Sequence, residues 1–516
     1  MEGMGQLGLG FDFGRGRQEQ LEVVVGEEDL FLDAEPRELF VGSQRLEVFL
    51  EANGLSWVVG IASLLKELDY SALVRSYKRT GRRALHPRVM LGLIVYGIFN
   101  RQWSLRELEG LARRDVGAWW VCGGHQPDHS TIGKFIQLHA EVLTEEFFVG
   151  LVRRLVNKLR LAPGVVAADG TVIESAASHF RTLRAEAAAE AAAQAERSQV
   201  NAEQVEQART VAALAQARSV DRRARGGDAE APVVAPSDPD ALIQPRKDGV
   251  VRPTYKPSIM VHESRLIVGQ RLEPGSETAA LAPMLNQHAA AFASEPARLL
   301  LDAGFSSIGL FSMLVARDID VLCPAGRTNG DGEWHKQSRT GRFTKHHFRY
   351  DPHADRYHCP AGRELAFSAS GVDRKRRKFR VYRSPACKDC VLRERCTTSA
   401  VGRSIKRFEG EELKEAMVEV LAQPRARRQF RRRGAIAEPP FAHLRERQGL
   451  RRFRRRGLPG VRAEFALHCI AYDLRMAIGQ LDNRALILCL LLYTRVASGR
   501  WQLFAVLIIT QHNRTV

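Results

Sequence analysis

Two short apolar runs that each end in an aspartate constrain the fold of this chain most. The run VVAAD ends at Asp169, and the run ARLLLD ends at Asp302. Continuous apolar runs of this length are typical of strands buried on both faces of a sheet. Two further strand patterns and a helix pattern over residues 277–293 lie between them. The order predicts an α/β sheet with carboxylates at its strand ends, although each aspartate taken singly fits the N-cap of a following helix.

A third acidic candidate lies in the arginine-rich stretch of residues 424–458. Glu438 stands between an apolar run and two prolines, whereas Glu446 is flanked by arginines and is interpreted as an ion-pair partner. Ile436 and Phe441 recur at helix-like intervals, which a solvated basic tail would not require. Taken alone, the stretch fits a basic helix with surface ion pairs. If Asp169, Asp302 and Glu438 converge, they have the ligand types for two Mg²⁺ or Mn²⁺ ions beside a polyanion.

Charge and length limit the class of protein further. The chain has 77 lysines and arginines against 59 aspartates and glutamates, a formal charge of +18 over 516 residues. This balance predicts a polyanionic partner, nucleic acid before membrane, and the length predicts two or three domains. The N-terminus has no signal-peptide pattern, so we expect a cytoplasmic protein with reduced thiols. Two apolar pieces near the C-terminus are too short to span a membrane and fit a buried hairpin or an eroded end.

Residues 44–160 have the patterns of a helical domain. The run RVMLGLIVYGIFN predicts a buried helix, Ser104 and Glu107 form a capping-box pattern, and Asp128 is an expected N-cap. Three short helices with a tight turn fit either a helix-turn-helix module or an ordinary helical bundle. If the module binds DNA, the exposed candidates open its last helix: Ser130, Thr131 and Lys134.

Two segments interrupt the strand pattern. Residues 182–225 are rich in alanine, glutamate and arginine and predict a long exposed helix or a helical hairpin. Residues 326–403 are rich in basic residues, glycine and cysteine. Zinc with four thiolates is favoured here over free cysteines, with His353 and His358 as alternative ligands. The candidate zinc ligands are Cys359, Cys387, Cys390 and Cys396.

Several ordered motifs over residues 76–480 resemble bacterial insertion-sequence transposases of the DDE class. The N-terminal motifs are HPRVMLGLIVYG, SLRELE and PDHSTIGKF, and the first two acids lie in AADGTVIES and DAGFSS. The third acid lies in FRRRGAIAEPPFAHLRERQGLRRFRRRGL, which is similar to the tyrosine-arginine-glutamate-lysine helix of that family. The segments SDPDALIQPRKDG and CKDC resemble a branch with a cysteine-bearing insert.

The resemblance implies an RNase H-like fold, a mixed five-stranded sheet flanked by helices. It implies a metal-binding triad of Asp169, Asp302 and Glu438, with Arg433 and Arg445 at DNA phosphates. Phe430 stands where the family has tyrosine, and Arg445 where it has lysine. The implied layout is a helical DNA-binding domain (44–160), a catalytic domain (161–481) with inserts at 182–225 and 326–403, and an apolar tail (482–516).

The activity that the resemblance implies is metal-dependent DNA cleavage and strand transfer at terminal inverted repeats. Its expected partners are the repeats, target DNA and a second copy of the chain in a paired-end complex. The expected location is the cytoplasm, at the nucleoid, and no membrane partner is expected. A catalytically decayed transposase that only binds DNA ends is the alternative. A nuclease of RNA–DNA hybrids is a third possibility.

Overall fold

A computed structural model describes residues 30–496 except 33, 78–82, 199, 225, 229–232, 246–248, 325–340 and 374–375. Side chains are described as far as residue 482. Residues 497–516, the greater part of the expected tail, therefore lie outside the described residues.

The first part of the chain is mainly helical, with two small strand pairs. Strand β1 (Phe31–Leu32) pairs with β4 (Ala84–Leu85), and β2 (Phe40–Val41) pairs with β3 (Gln44–Arg45). The helices of this region are α1 (Leu46–Ala52), α2 (Ser56–Lys66), α3 (Ser71–Val74), α4 (Pro87–Phe99), α5 (Leu105–Arg114), α6 (Val116–Cys122), α7 (His129–Leu138), α8 (Ala140–Thr144) and α9 (Glu146–Lys158).

Local sequence signals explain where these helices begin. Helix α4 starts at a proline and is buried on nearly all sides, as its apolar sequence predicts. The capping box that opens α5 is confirmed, because the side chains of Ser104 and Glu107 each accept a backbone N–H of the other residue. Asp128 is confirmed as the N-cap of α7, since its side chain accepts the N–H of Thr131.

A mixed sheet follows the helical region. Its strands are β5 (Val165–Gly170), β6 (Ile173–Glu174), β7 (Leu242–Pro245), β8 (Val251–His262), β9 (Ile267–Glu273), β10 (Arg298–Leu300) and β11 (Val321–Leu322). The main strands lie in the order β9-β8-β5-β10-β11, and β6 and β7 pair with the first part of β8. Strand β10 runs parallel to β5 and β11, whereas β8 runs antiparallel to β5 and β9. The expected α/β class is confirmed, and the strand order is consistent with an RNase H-like core.

Between β6 and β7, two helices pack against each other as a pair. They are α10 (Ala185–Arg197) and α11 (Ala202–Ala224). Their contact buries the small side chains of Ala188, Val211 and Ala215, together with Val234 from the segment that follows. The sequence of residues 182–225 fitted either one long helix or a helical hairpin, and the described residues form the hairpin.

Two helices flank the second half of the sheet, and a separate small sheet follows. Helix α12 (Glu277–Phe292) packs on β9 and β8, and α13 (Ile308–Ala316) connects β10 to β11. The small sheet is antiparallel and has its own apolar core around Tyr357 and Tyr382. It contains β12 (Arg349–Asp351), β13 (Arg356–His358), β14 (Glu364–Val372), β15 (Lys378–Arg383) and β16 (Ser404–Phe408), with the one-turn helix α14 (Arg393–Cys396) before β16.

The last part of the chain is helical and returns to the main sheet. Its helices are α15 (Glu411–Ala422), α16 (Pro424–Phe430), α17 (Arg432–Ala442) and α18 (Leu458–Val496). Helix α17 packs on β5 and β8 and widens into a π-helical turn, His443–Arg447. Two prolines in α17 remove backbone donors just before this turn.

Helix α18 connects the helical region and the sheet. It packs against α4 and α8 on one side and β9 on the other, and its residues belong to one apolar core shared by both regions. The helix continues through the expected boundary at residue 481. Within the described ranges, no helix combines the length and apolar character that a membrane span requires.

Candidate active site

The parallel pairing of β5 and β10 brings Asp169 and Asp302 together. Leu300 is in register with Ala167, so the two aspartates, each two residues further on, reach the same edge of the sheet. Asp302 also caps the 3₁₀ turn Ala303–Phe305 by accepting the N–H of Gly304 at 2.8 Å. The capping role expected as the alternative therefore holds for Asp302 in addition to its place beside Asp169.

A single guanidinium lies between the two carboxylates. Nη2 of Arg433 is 3.2 Å from Oδ1 of Asp169 and 3.7 Å from Oδ2 of Asp302. The side chain of Arg433 is 14 % exposed, and its buried Nε has no hydrogen-bond partner among the described residues. The aspartates thus share one cation at the end of the two strands.

The pKa of Asp169 is raised, and burial is the main cause. The positive charge of Arg433 and the N–H of Gly170, which donates to Oδ1 at 2.9 Å, oppose the rise. The negative charges of Asp302 and Glu277 add to it. A cation next to Asp169 therefore favours the ionised form of this carboxylate, which burial alone disfavours.

Glu277 is an acidic neighbour that the sequence analysis missed. It opens α12, and its Oε1 pairs with Nζ of Lys256 at 2.9 Å. A Cβ built on Gly170 would lie 2.5 Å from its Cγ, and a Cβ built on Gly304 would lie 3.7 Å from its Oε2. The sequence signal that could have indicated this neighbour was Gly170 directly after Asp169, with Gly304 two residues after Asp302.

Glu438 is not brought into a ligand group with the two aspartates. It follows Arg433 by five residues on α17, which places it about 140° away around the helix axis. Its side chain is exposed and has no hydrogen-bond or ion-pair partner among the described residues. In the described part of the chain, no three His, Cys, Asp or Glu side chains are grouped as metal ligands.

The two aspartates nevertheless fit a divalent cation. Carboxylate oxygens are the donors that Mg²⁺ and Mn²⁺ prefer, and Mg²⁺ is commonly held by only one or two carboxylates with water. The guanidinium of Arg433 marks a position where both carboxylates already stabilise positive charge. Asp169 and Asp302 are the residues that would hold the ion.

A partly basic groove opens beside Asp169. Arg445 donates to Oγ1 of Thr171, two residues beyond Asp169. The groove has a volume of about 640 Å³. Its lining includes Thr171, Lys256, Glu277, Arg445, Glu446 and Arg451. Glu446 pairs with Arg451 at 2.6 Å.

Other arginines of the basic stretch have structural contacts. Arg452 donates to the carbonyl oxygen of Ser175 at 2.8 Å and holds the segment after β6. Arg454 pairs with Glu107 and lies over the ring of Trp103, 4.1 Å from its centroid. These contacts attach the stretch to the sheet and to the helical region, so not every arginine there is available to a ligand.

The candidate DNA-binding residues of the helical region lie on the surface. Ser130, Thr131 and Lys134 are all exposed in the first two turns of α7. Thr131 donates its backbone N–H to the Asp128 cap at 2.6 Å, and its side chain is hydrogen-bonded to the same carboxylate. This exposure fits either a DNA-binding module or the outer face of a bundle.

The four cysteines of the small-sheet region lie near one another. Burial raises the pKa of Cys396, Arg403 lowers it, and the neighbouring Cys387, Cys359 and Cys390 raise it further. All four are free and partly buried. Within the described residues they are not grouped as metal ligands, so zinc at these thiols stays a prediction.

Comparison with known families gives two matches. Residues 358–477 match the family described as Transposase DDE domain, and residues 58–138 match the family described as Transposase domain (DUF772). The first segment contains Arg433, Glu438 and Arg445, whereas Asp169 and Asp302 lie outside both. No curated protein gives a significant match. Both segments agree with the resemblance that the motifs carry.

Proposed function

Since the two matched segments indicate an insertion-sequence DDE transposase, we propose that the chain cleaves DNA and transfers strands at the inverted-repeat ends of its element. The observation that carries the proposal is the Asp169–Asp302 pair at the ends of parallel neighbouring strands, where both carboxylates contact the guanidinium of Arg433. The family context makes these acids candidates for Mg²⁺ or Mn²⁺. Glu438 is proposed as the third acid on the resemblance alone.

The chemistry is an in-line displacement at phosphorus. In cleavage, the oxygen of water bonds to phosphorus while the bond to the 3′ oxygen breaks, and in transfer a 3′ hydroxyl takes the place of water. When bound, divalent ions would activate the attacking oxygen and stabilise the leaving one. Asp169 and Asp302 would hold an ion at the sheet edge, and their position fixes where the scissile phosphate must lie.

The groove beside Asp169 supplies the DNA contact in this proposal. Lys256, Arg445 and Arg451 line it and would neutralise successive phosphates. Arg433, which is already at the two aspartates, is proposed as a further phosphate contact. Ser130, Thr131 and Lys134 would bind the repeat at a distance from the cut. We also propose that two chains assemble on the paired ends, at the nucleoid in the cytoplasm.

The test is cleavage of DNA that carries the element's own ends by purified protein with Mg²⁺ or Mn²⁺. We expect cuts at the ends that require the metal, and no cuts in DNA with scrambled ends. Cleavage of any duplex, or of RNA–DNA hybrids, without end preference would replace the transposase proposal by a general nuclease.

A protein that only binds DNA ends is the second candidate, supported by the charge of +18 and by the absence of a three-acid ligand group among the described residues. Binding assays cannot separate the two functions, because both require the same basic surfaces. End-specific binding without any cleavage in Mg²⁺ or Mn²⁺ would favour this second candidate.

A further inference from the structure

Glu277 is fixed at the start of α12 by a short, well-capped turn. Ser276 caps the helix by accepting the N–H of Ala279 at 3.2 Å. The preceding strand, β9, pairs with β8, which carries Lys256. The carboxylate of Glu277 therefore lies over the edge of the sheet where Asp169 ends β5.

Gly170 leaves the space that the carboxylate of Glu277 occupies. A side chain at position 170 would collide with Glu277, because its Cβ would lie 2.5 Å from the Cγ of that residue. A Cβ at position 304 would lie 3.0 Å from Oδ1 of Asp302 and 3.7 Å from Oε2 of Glu277. Neither glycine has a positive φ, so backbone freedom does not explain them. Gly170 thus forms a cradle for Glu277, whereas a Cβ at position 304 would meet Glu277 only at an ordinary van der Waals distance.

The charges around the cradle are close to balance but remain negative. Asp169, Glu277 and Asp302 contribute three carboxylates, whereas Arg433 and Lys256 contribute two cations. Each of these cations is paired with a carboxylate of the group. Among the residues that the structure describes, Glu277 does not form a group of three direct ligands with the two aspartates. A divalent ion that replaced the guanidinium at the aspartates would therefore have Glu277 as an acidic neighbour beyond its direct ligands.

We propose that Glu277 is a further acidic residue of the Asp169–Asp302 cation site and contributes its carboxylate to the divalent ion through a bound water. This inference rests on the proposed function. It gives Lys256 the role of a counter-ion that holds Glu277 in place and competes with the ion. It also explains why glycine follows the first aspartate directly.

A second glutamate in the chain provides a matched control. Glu411 opens helix α15, pairs with Nζ of Lys345 at 2.5 Å, and is 17 % exposed against 21 % for Glu277. It has the same chemistry and helix position, but no ion pair or hydrogen bond links it to an aspartate among the residues that the structure describes. Comparing the two glutamates therefore separates the loss of an ion pair at a helix start from the loss of a group at the cation site.

The experiment measures Mn²⁺ binding to the full chain without DNA, by titration with detection of free Mn²⁺. Glu277→Gln and Asp302→Asn are each expected to weaken binding by about tenfold or more, a typical loss when a group at a metal site is removed. Glu411→Gln should bind as wild type does. Lys256→Met should bind more tightly than wild type, because a competing cation is removed.

The outcomes separate this inference from the proposed function. Weakening by Asp302→Asn but not by Glu277→Gln would overturn the inference and leave the aspartate site intact. If neither weakens binding, the aspartate site itself is wrong. Equal weakening by Lys256→Met and Glu277→Gln would show that the ion pair matters rather than the carboxylate. If Glu277→Gln fails to fold by circular dichroism, Lys256→Met decides, and unchanged or weaker binding would overturn the inference.

Discussion

Asp302 lies beside Asp169 because the strands that deliver them are parallel neighbours, with Leu300 in register with Ala167. This register places both carboxylates at one edge, where the guanidinium of Arg433 contacts each of them. A shift of one residue would move one aspartate to the opposite face of the sheet. The position of the proposed chemistry is therefore a consequence of strand pairing.

Removing Arg433 should destabilise the protein when no metal is present. Arg433→Met leaves two carboxylates without their shared cation, and we expect a loss of about 1 to 3 kcal/mol in the free energy of unfolding. Added Mg²⁺ should restore more stability to this variant than to wild type. The measurement is thermal unfolding with and without Mg²⁺.

Arg432→Met is the control for that prediction. Arg432 pairs with Glu263 at 2.5 Å at a more exposed position, so its loss should cost less than about 1 kcal/mol. Mg²⁺ should not rescue it selectively. An equal effect of Mg²⁺ on the two variants would contradict a cation position at Asp169 and Asp302.

Asp473 should make stability depend on pH. Burial raises its pKa well above the usual range, although it accepts the N–H of Ile267 at 2.8 Å. Its Oδ2 has no hydrogen-bond partner among the described residues. An acid with a raised folded-state pKa contributes stability below its unfolded pKa and loses it as pH rises through the folded value. Wild type should therefore lose stability relative to Asp473→Asn as pH increases.

Thermal unfolding of both proteins between about pH 4 and pH 8 checks this. The advantage of Asp473→Asn should grow toward the upper end of the range. An advantage that is constant over the range, or that grows toward low pH, would contradict the raised pKa.

Arg445 should contribute to DNA binding without regard to sequence. Because it lines the groove beside Asp169, Arg445→Ala should weaken binding to all duplexes and lower the salt dependence of binding by about one phosphate contact. Arg298→Ala is the control, since Arg298 begins β10 at the opposite edge of the sheet. Fluorescence anisotropy at several salt concentrations measures both. An equal change in the two variants would remove the groove from the DNA path.

Thr131 and Lys134 should affect the sequence preference of DNA binding, whereas the groove residues should affect binding to all duplexes. If α7 contacts bases, Thr131→Ala should lower the preference for the element's ends over unrelated DNA. If α7 only covers a bundle, the preference should stay unchanged. Competition between end DNA and unrelated DNA decides between the two interpretations.

If Cys359, Cys387, Cys390 and Cys396 form a four-ligand site, we expect about one zinc ion per chain. Elemental analysis of protein purified without chelator measures this, and Cys390→Ser should lose the metal. Cys122→Ala is the control, because Cys122 is buried in the helical region. Wild-type protein with no zinc would remove the proposal.

Residues with strong local signals could be placed from the sequence. The apolar runs before Asp169 and Asp302, the capping box at Ser104 and the cap at Asp128 act through neighbours in the chain. Helix α18 could not be bounded in this way, because the apolar residues beyond position 481 continue a helix that buried packing begins.

Relationships between distant residues could not be predicted in the same way. Glu277 approaches Asp169 because α12 packs over the sheet edge, and Gly170 gives only a local sign of this approach. Strands β12, β13 and β15 of the small sheet are short and contain basic residues, so composition hid them. For Glu438, the motif gave a role that stays a prediction, because the described residues do not group it with the two aspartates as metal ligands.

The most direct test of the central claim compares end cleavage by wild type, Asp302→Asn and Asp320→Asn. Asp320 lies just before β11, at the amino ends of the strands that lead to the site, and pairs with Arg298 at 2.5 Å. We predict metal-dependent cleavage at the element's ends by wild type and Asp320→Asn, and none by Asp302→Asn. Cleavage by Asp302→Asn at the wild-type rate would contradict the account.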